Sequence, residues 1–187
     1  MDSLFFIINY LSYVFKKIFG GNVEMNLTHK IVRTGLIAAI YVVITMAIAP
    51  LGYGPIQFRI SEIMVLLAFI DPFYTIGLTL GCLIANIFGG LGILDIVFGS
   101  LATFISCKGI ELARKYINKD NLALIVASLS PVVVNGIVIG LMLAYIENIP
   151  FYIPALQVAL SEFIIITIIG VPVFNILKQY TRWLKIS

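Results

Sequence analysis

Six polar residues stand within or beside the apolar segments of this sequence, and they are the side chains best suited to bind another molecule. The set comprises three acids, two amides and one arginine: Arg59, Glu62, Asn86, Asp95, Asn135 and Glu162. Carboxylates accept hydrogen bonds from N–H groups, whereas guanidinium and amide groups donate to a carbonyl oxygen. The set is therefore typical of a binding site for a small polar molecule.

The composition identifies the environment in which these side chains lie. The chain has 187 residues, of which 61% are hydrophobic and 11% charged, and its mean hydropathy is +1.09. Soluble domains carry roughly 25% charged residues. The sequence therefore predicts an all-α integral membrane protein, because lipid offers no partner to exposed backbone groups. The basic residues lie at helix ends, so the net charge of +3 does not indicate a nucleic-acid partner.

The length accommodates about six spans of roughly 20 residues each. We predict transmembrane helices over residues 31–49, 60–70, 73–88, 93–113, 122–145 and 153–176. Asp71-Pro72 ends the second span, and a glycine-rich turn at 89–92 leads into the fourth. The Gly, Pro and Tyr residues of segment 50–62 predict a shaped loop, which we expect to dip into the bilayer and cover the binding site.

The basic residues indicate the orientation of the chain. With six spans and the N-terminus inside, every lysine and arginine except Arg59 falls on the cytoplasmic side. The positive-inside rule therefore favours both termini in the cytoplasm. Residues 1–24 are too short to span comfortably, and we predict an amphipathic extension at the membrane surface, followed by a transmembrane domain over 25–187.

The six polar residues share a depth in the predicted bundle. Glu162 lies roughly 12 Å and Asn135 roughly 15 Å from the outer ends of their helices, at 1.5 Å per residue. All six fall in the outer half of the membrane. Ionisable groups at such depth are costly unless they are paired or face water, so the clustering predicts a cavity that opens outward.

Purely structural interpretations of these residues remain open. Arg59 and Glu62 are three residues apart and can pair along one helix. Asp95 can cap the N-terminus of its helix. The two asparagines can close a helix end or join two helices. Glu162 is the strongest candidate because no basic residue on its own helix lies near it.

Several classes of chemistry lack their motifs. The sequence has no phosphate-binding G-x-x-x-x-G-K-[ST] loop and no H-E-x-x-H. Cys82 and Cys107 lack metal-ligand spacing and are read as small packing residues, and the lone His29 is juxtamembrane. We therefore expect no enzyme activity, no metal and no cofactor. Energy for uphill transport must come from another subunit or from an ion gradient.

A separate pattern points to a protein partner. Gly35 and Ala39 are four residues apart on the first predicted span, a spacing that lets another helix approach closely. Packing within the bundle is the alternative explanation.

Several motifs together resemble a known family. They are Gln57-Phe58-Arg59-Ile60-Ser61-Glu62, Asp71-Pro72, the segment 81–86 (Gly-Cys-Leu-Ile-Ala-Asn) and the segment 92–99 (Gly-Ile-Leu-Asp-Ile-Val-Phe-Gly). This pattern resembles the QueT family of substrate-binding S components of energy-coupling factor (ECF) transporters, which are associated with queuosine precursors. The resemblance runs from Met25 to the C-terminus and is specific in 57–99.

The resemblance implies a six-helix S component that captures substrate from outside. Such a subunit associates with a transmembrane coupling protein and two cytoplasmic ATPases. S components contact the coupling protein through an A-x-x-x-A motif on the first helix, and Gly35 and Ala39 occupy the matching positions here.

The implied ligand is a 7-deazaguanine in its aminomethyl or cyano form. Glu162 or Glu62 would accept from the guanine-like edge and Asp95 from the cationic arm. The carbonyl oxygen of the ligand needs a hydrogen-bond donor, for which the candidates are Arg59, Asn86 and Asn135. The flat ring needs an aromatic slot, for which the candidates are Tyr53, Phe58 and Tyr145.

Three other functions remain open from the sequence. The protein could be a stand-alone ion-coupled carrier, an S component for another vitamin-type ligand, or a ligand-free membrane scaffold whose polar residues only lock helices together.

Overall fold

The computed structural model describes residues 27–52 and 58–181. These ranges contain helices and short turns and no strand. The predicted extension at 1–24 lies outside the described residues, and so does Tyr53.

Six helical segments of ten residues or more occupy these ranges, and each overlaps one predicted span. They are α1 (Leu27–Ala47), α2 (Ile60–Phe69), α3 (Tyr74–Gly89), α4 (Ile93–Tyr116), α5 (Asp120–Glu147) and α6, which runs continuously through Tyr152–Glu162, Phe163–Gly170 and Val171–Thr181. The predicted loop differs at its start, where Ala49–Gly52 forms one helical turn. Pro50 is tolerated there because the first turn of a helix needs no N–H from it.

Four stretches of the described chain are long and apolar enough to cross a membrane. They are Lys30–Ala47, Ile93–Tyr116, Asp120–Glu147 and Tyr152–Ile176, whereas α2 and α3 are shorter apolar helices. The chain is therefore an all-α, multi-pass membrane protein. Six full crossings and the location of the termini stay predictions.

The shortest helix, α2, is the central element of the bundle. It contacts α1, α3, α4, α5 and α6. Its ten residues form a 3₁₀-helix, in which the Ile70 N–H donates to the Leu67 carbonyl at 2.9 Å. A 3₁₀-helix rises about 2.0 Å per residue, so α2 covers about 20 Å where an α-helix of that length would cover about 15 Å. Three residues per turn place Glu62, Val65 and Ala68 on one buried face.

The last helix also departs from regular α geometry. Directly after Glu162, α6 continues as a π-helix over Phe163–Gly170, and α2 packs against this segment. A Cβ at Gly170 would lie 3.4 Å from Leu66 Cδ1 and 3.5 Å from Ile63 Cγ1. Both helices that carry a buried glutamate thus contain non-α backbone, which is frequent at functional sites.

The turns on either side of α3 form where the sequence places them. The Asp71 carboxylate accepts a hydrogen bond from the Phe73 N–H at 2.9 Å, and Pro72 follows the end of α2. Gly90 and Gly92 have φ angles of +78° and +86°, a left-handed conformation that favours glycine. The predicted break and the predicted tight turn are both confirmed.

The small residues of α1 lie on two different faces of the helix. Towards α3, a Cβ on Gly81 would lie 2.8 Å from Tyr41 Cβ and 3.1 Å from Ala38 Cα, so these helices are in close contact. Gly35 and Ala39 are exposed instead, and a Cβ at Gly35 would meet nothing within 4 Å. Packing inside the bundle therefore does not explain the Gly35/Ala39 spacing in the described part of the chain.

Candidate functional site

The six polar residues singled out above are all buried. Their exposed fractions range from 0% for Asp95 to 5% for Arg59 and Asn135. Arg59 precedes α2, and the others lie on five different helices: Glu62 on α2, Asn86 on α3, Asp95 on α4, Asn135 on α5 and Glu162 on α6. We call this set the polar cluster.

Arg59 joins the entry of α2 to α4. Its Nη2 lies 3.4 Å from Asp95 Oδ1 and 3.3 Å from Oδ2, and its Nε donates to the Gly52 carbonyl at 3.2 Å. The ion pair therefore crosses between elements, and pairing with Glu62 along one helix does not account for Arg59. Asp95 lies in the first turn of α4, while Gly92 holds the cap position. The negative charge is favourable there, but the carboxylate contacts Arg59 and not the cap.

Asn86 fastens α3 to the start of α4. Its Nδ2 donates to the Asp95 carbonyl at 2.9 Å and lies 3.5 Å from Cys82 Sγ. Gly99 leaves room for this amide, because a Cβ at that position would overlap Asn86 Nδ2. Asn86 Oδ1 is buried and has no hydrogen-bond partner among residues 27–52 and 58–181.

Glu62 is bound on one oxygen and unsatisfied on the other. Tyr41 of α1 donates its hydroxyl to Glu62 Oε1. Glu62 Oε2 is buried without a partner in the described part of the chain. One turn of α1 further on, Thr45 donates to Ser61 Oγ at 2.7 Å, so two neighbouring hydrogen bonds join α1 to α2.

Glu162 repeats this arrangement at the other side of the cluster. Asn135 of α5 donates its Nδ2 to Glu162 Oε1 at 2.9 Å. Glu162 Oε2 is buried and lacks a partner within the described ranges. The bond is an interhelical contact of the kind expected in membrane bundles, and it leaves half of the carboxylate available.

The chemistry of the cluster is that of a hydrogen-bond acceptor. Glu62 Oε2, Asn86 Oδ1 and Glu162 Oε2 are unsatisfied acceptors among the described residues, and leaving such groups buried is costly. Glu62 and Arg59 both act electrostatically on Glu162, which places these charges in one neighbourhood. The cluster contains three carboxylates and one guanidinium, so it suits a ligand with several N–H donors and a positive charge.

The remaining unsatisfied atom and the candidate ring residue Tyr145 lie away from the polar cluster. Ser106 Oγ is also buried without a partner among the described residues, but it lies three turns further along α4 than Asp95. Phe58 is half-buried and packs against the core. Tyr145 is 80% exposed, so it does not form a ring slot beside the polar cluster.

An apolar groove of about 560 Å³ runs between α4 and α5. Its lining contains none of the six polar residues: Leu94, Phe98, Leu101, Val138, Leu141, Met142 and Tyr145. We assign the candidate site to the buried cluster and not to this groove, because a polar ligand needs partners that the groove lacks.

Tyr41 is the main residue that the sequence prediction missed. It is fully buried and acts directly on Glu62. The signal lies in the spacing of Tyr41 and Thr45, two polar residues four apart on one face of an apolar helix. No group of three His, Cys, Asp or Glu side chains with the geometry of a metal site occurs in the described residues.

Comparison with known proteins identifies the family. The chain is 40% identical over 80 residues to the queuosine precursor transporter QueT of Lactococcus lactis subsp. cremoris (strain MG1363), a match that covers 42% of this chain and 47% of that protein. No solved structure matches the chain. The sequence profile described as QueT transporter matches residues 31–179, which contain the whole polar cluster. The chain therefore belongs to the QueT transporter family.

Proposed function

We propose that this protein is the substrate-binding S component of an ECF-type importer. It captures a 7-deazaguanine queuosine precursor from outside and delivers it together with an ATP-driven coupling module. The observation that carries the proposal is the pair of buried glutamates, Glu62 and Glu162, each with one oxygen held and one oxygen unsatisfied in the described structure. Membership of the QueT transporter family supports the same conclusion.

The proposed topology has six spans and both termini in the cytoplasm. It places the polar cluster in the outer half of the bilayer, where substrate arrives. Arg59 is then the one basic residue on the outer side. Its contact with Asp95 supplies the partner that a buried charge requires. The 3₁₀ geometry of α2 supports a crossing by a short helix, because it lengthens the segment.

The ligand chemistry follows from the acceptors. A guanine-like edge presents an N1–H and an exocyclic amine, which one carboxylate can accept together, and an aminomethyl arm adds an ammonium group. Because Arg59 contacts both oxygens of Asp95, we revise the assignment of the cationic arm. Glu62 and Glu162 receive the edge and the arm, and Asp95 holds Arg59 in place.

The proposed partner surface lies on α1. Gly35 and Ala39 are exposed on this helix, and small residues let the backbone of a partner helix approach closely. We assign this face to the membrane-embedded coupling protein. The two ATPase subunits would provide the energy, since the sequence has no phosphate-binding loop of its own.

Two measurements test the proposal. The purified protein should show a thermal shift with 7-aminomethyl-7-deazaguanine or 7-cyano-7-deazaguanine, and Glu62→Gln combined with Glu162→Gln should abolish it. Proteoliposomes should accumulate the ligand only when the coupling protein and ATPases are present. If the protein takes up the ligand without these subunits, and an ionophore abolishes the uptake, the protein is an ion-coupled carrier. A shift with a different vitamin would indicate another S component, and no shift with any nucleobase or vitamin would indicate a scaffold.

A further inference from the structure

Tyr41 links the first helix to one of the two acceptor carboxylates. Its side chain is fully buried and its hydroxyl donates to Glu62 Oε1, 21 residues away in sequence. It belongs to the buried core together with Ile37 and Cys82. Tyr41 thus carries a hydroxyl donor from the buried core to Glu62.

The ring of Tyr41 has little freedom to move. A Cβ at Gly81 of α3 would lie 2.8 Å from Tyr41 Cβ, which shows how closely the two helices approach at this point. Tyr41 is 0% exposed, and side chains in such a close-packed core sit in rotamer minima. The position of the hydroxyl is therefore set by the α1–α3 contact, and it sets the position of Glu62 Oε1 in turn.

The arrangement matches that of Asn135 and Glu162. In each pair a neutral donor on a neighbouring helix holds Oε1, and Oε2 is buried without a partner among the described residues. A neutral donor fixes the orientation of a carboxylate without forming an ion pair with it, whereas Asp95 is paired with the Arg59 guanidinium. Both glutamates therefore keep one oriented oxygen that can accept a further hydrogen bond.

We propose that Tyr41 is a positioning residue of the ligand site, which turns Glu62 Oε2 towards the N–H donors of the ligand. It acts through Glu62 and needs no contact with the ligand. The inference rests on the proposed function, since it requires that Glu62 binds the ligand.

The test compares single and double variants of the full-length protein, with 7-aminomethyl-7-deazaguanine titrated by calorimetry. Tyr41→Phe removes the hydroxyl and keeps the ring. We expect it to weaken binding roughly ten- to a hundredfold, the loss typical of a hydrogen bond to a charged group. Glu62→Gln should weaken binding at least as much, and adding Tyr41→Phe to Glu62→Gln should cause no further loss. Such non-additivity is the signature of two residues that act as one unit.

Thr45→Val is the matched control. It removes the neighbouring hydrogen bond between α1 and α2, from Thr45 to Ser61 Oγ, without touching Glu62. We expect binding within about twofold of the wild type, a change of only about 0.4 kcal/mol. The effect should be this small because Thr45 contacts Ser61 and not Glu62. If Thr45→Val weakens binding as much as Tyr41→Phe, the tyrosine merely joins the helices and the inference is wrong.

The remaining outcomes separate the two proposals. Additive losses from Tyr41→Phe and Glu62→Gln would overturn the positioning role and leave the binding function intact. Unchanged binding in Tyr41→Phe, with binding lost in Glu162→Gln, would do the same. A wild-type protein that binds neither deazaguanine would overturn the proposed function itself.

Discussion

Arg59 and Asp95 form a buried ion pair between residues 36 positions apart in the sequence. Arg59 Nη2 lies 3.3 Å from Asp95 Oδ2, and the exposed fractions of the two side chains are 5% and 0%. The pair connects the entry of the central helix α2 to the first turn of α4.

Removing one partner of this pair should destabilise the fold. A buried charge left without its partner typically costs about 3–5 kcal/mol, so we expect Arg59→Gln and Asp95→Asn each to lower the thermal unfolding midpoint in detergent markedly. The double variant should recover part of the loss because neither charge is then left alone. Lys108→Gln breaks a pair whose lysine is 47% exposed and should cost at most about 1 kcal/mol. Equal losses for Arg59→Gln and Lys108→Gln would contradict the structural role.

The two acceptor glutamates should discriminate between cationic and neutral ligands. Glu62→Gln and Glu162→Gln each convert a charged acceptor into a neutral amide. We expect affinity for the aminomethyl form to fall about 10- to 100-fold in the variant whose carboxylate receives the ammonium group. Affinity for the cyano form should fall less in that variant. Calorimetry with both ligands gives the ratio of the two affinities, aminomethyl form to cyano form. The control is Glu147→Gln, because Glu147 is exposed. If neither variant changes this affinity ratio, neither carboxylate binds the cationic arm and the assignment is wrong.

A methyl group at Gly99 should disturb the α3–α4 connection. The added Cβ would overlap Asn86 Nδ2, which donates to the Asp95 carbonyl. Overpacking of this kind costs about 1–3 kcal/mol, so Gly99→Ala should lower thermal stability. Gly35→Ala is the matched control, because its Cβ would meet nothing within 4 Å. The prediction fails if the two glycine variants unfold at the same temperature.

Bulky residues on the exposed face of α1 should separate binding from assembly. With Gly35→Leu and Ala39→Leu combined, we expect deazaguanine affinity within about twofold of the wild type, because neither residue lies in the polar cluster. Co-purification with the coupling protein and ATP-driven uptake should be lost, since small residues are what permit close helix approach. Retained co-purification would show that the coupling protein contacts a different surface.

Much of the architecture was predictable from local properties of the sequence. Hydropathy and the breaks at Pro72 and at 89–92 located the six helical segments, because each depends on residues close together in the chain. Family membership was predictable for a similar reason, since each motif in 57–99 is a short run of consecutive residues.

The pairing of polar groups was decided by the tertiary structure alone. The sequence spacing left Arg59 a plausible partner of Glu62, yet its ion pair is with Asp95, and Glu62 accepts from Tyr41. These partners lie on different helices, so their contacts depend on how the bundle packs and not on any local period. The sequence prediction also missed the 3₁₀ geometry of α2 and the π-helix after Glu162, two segments that pack against each other in the bundle.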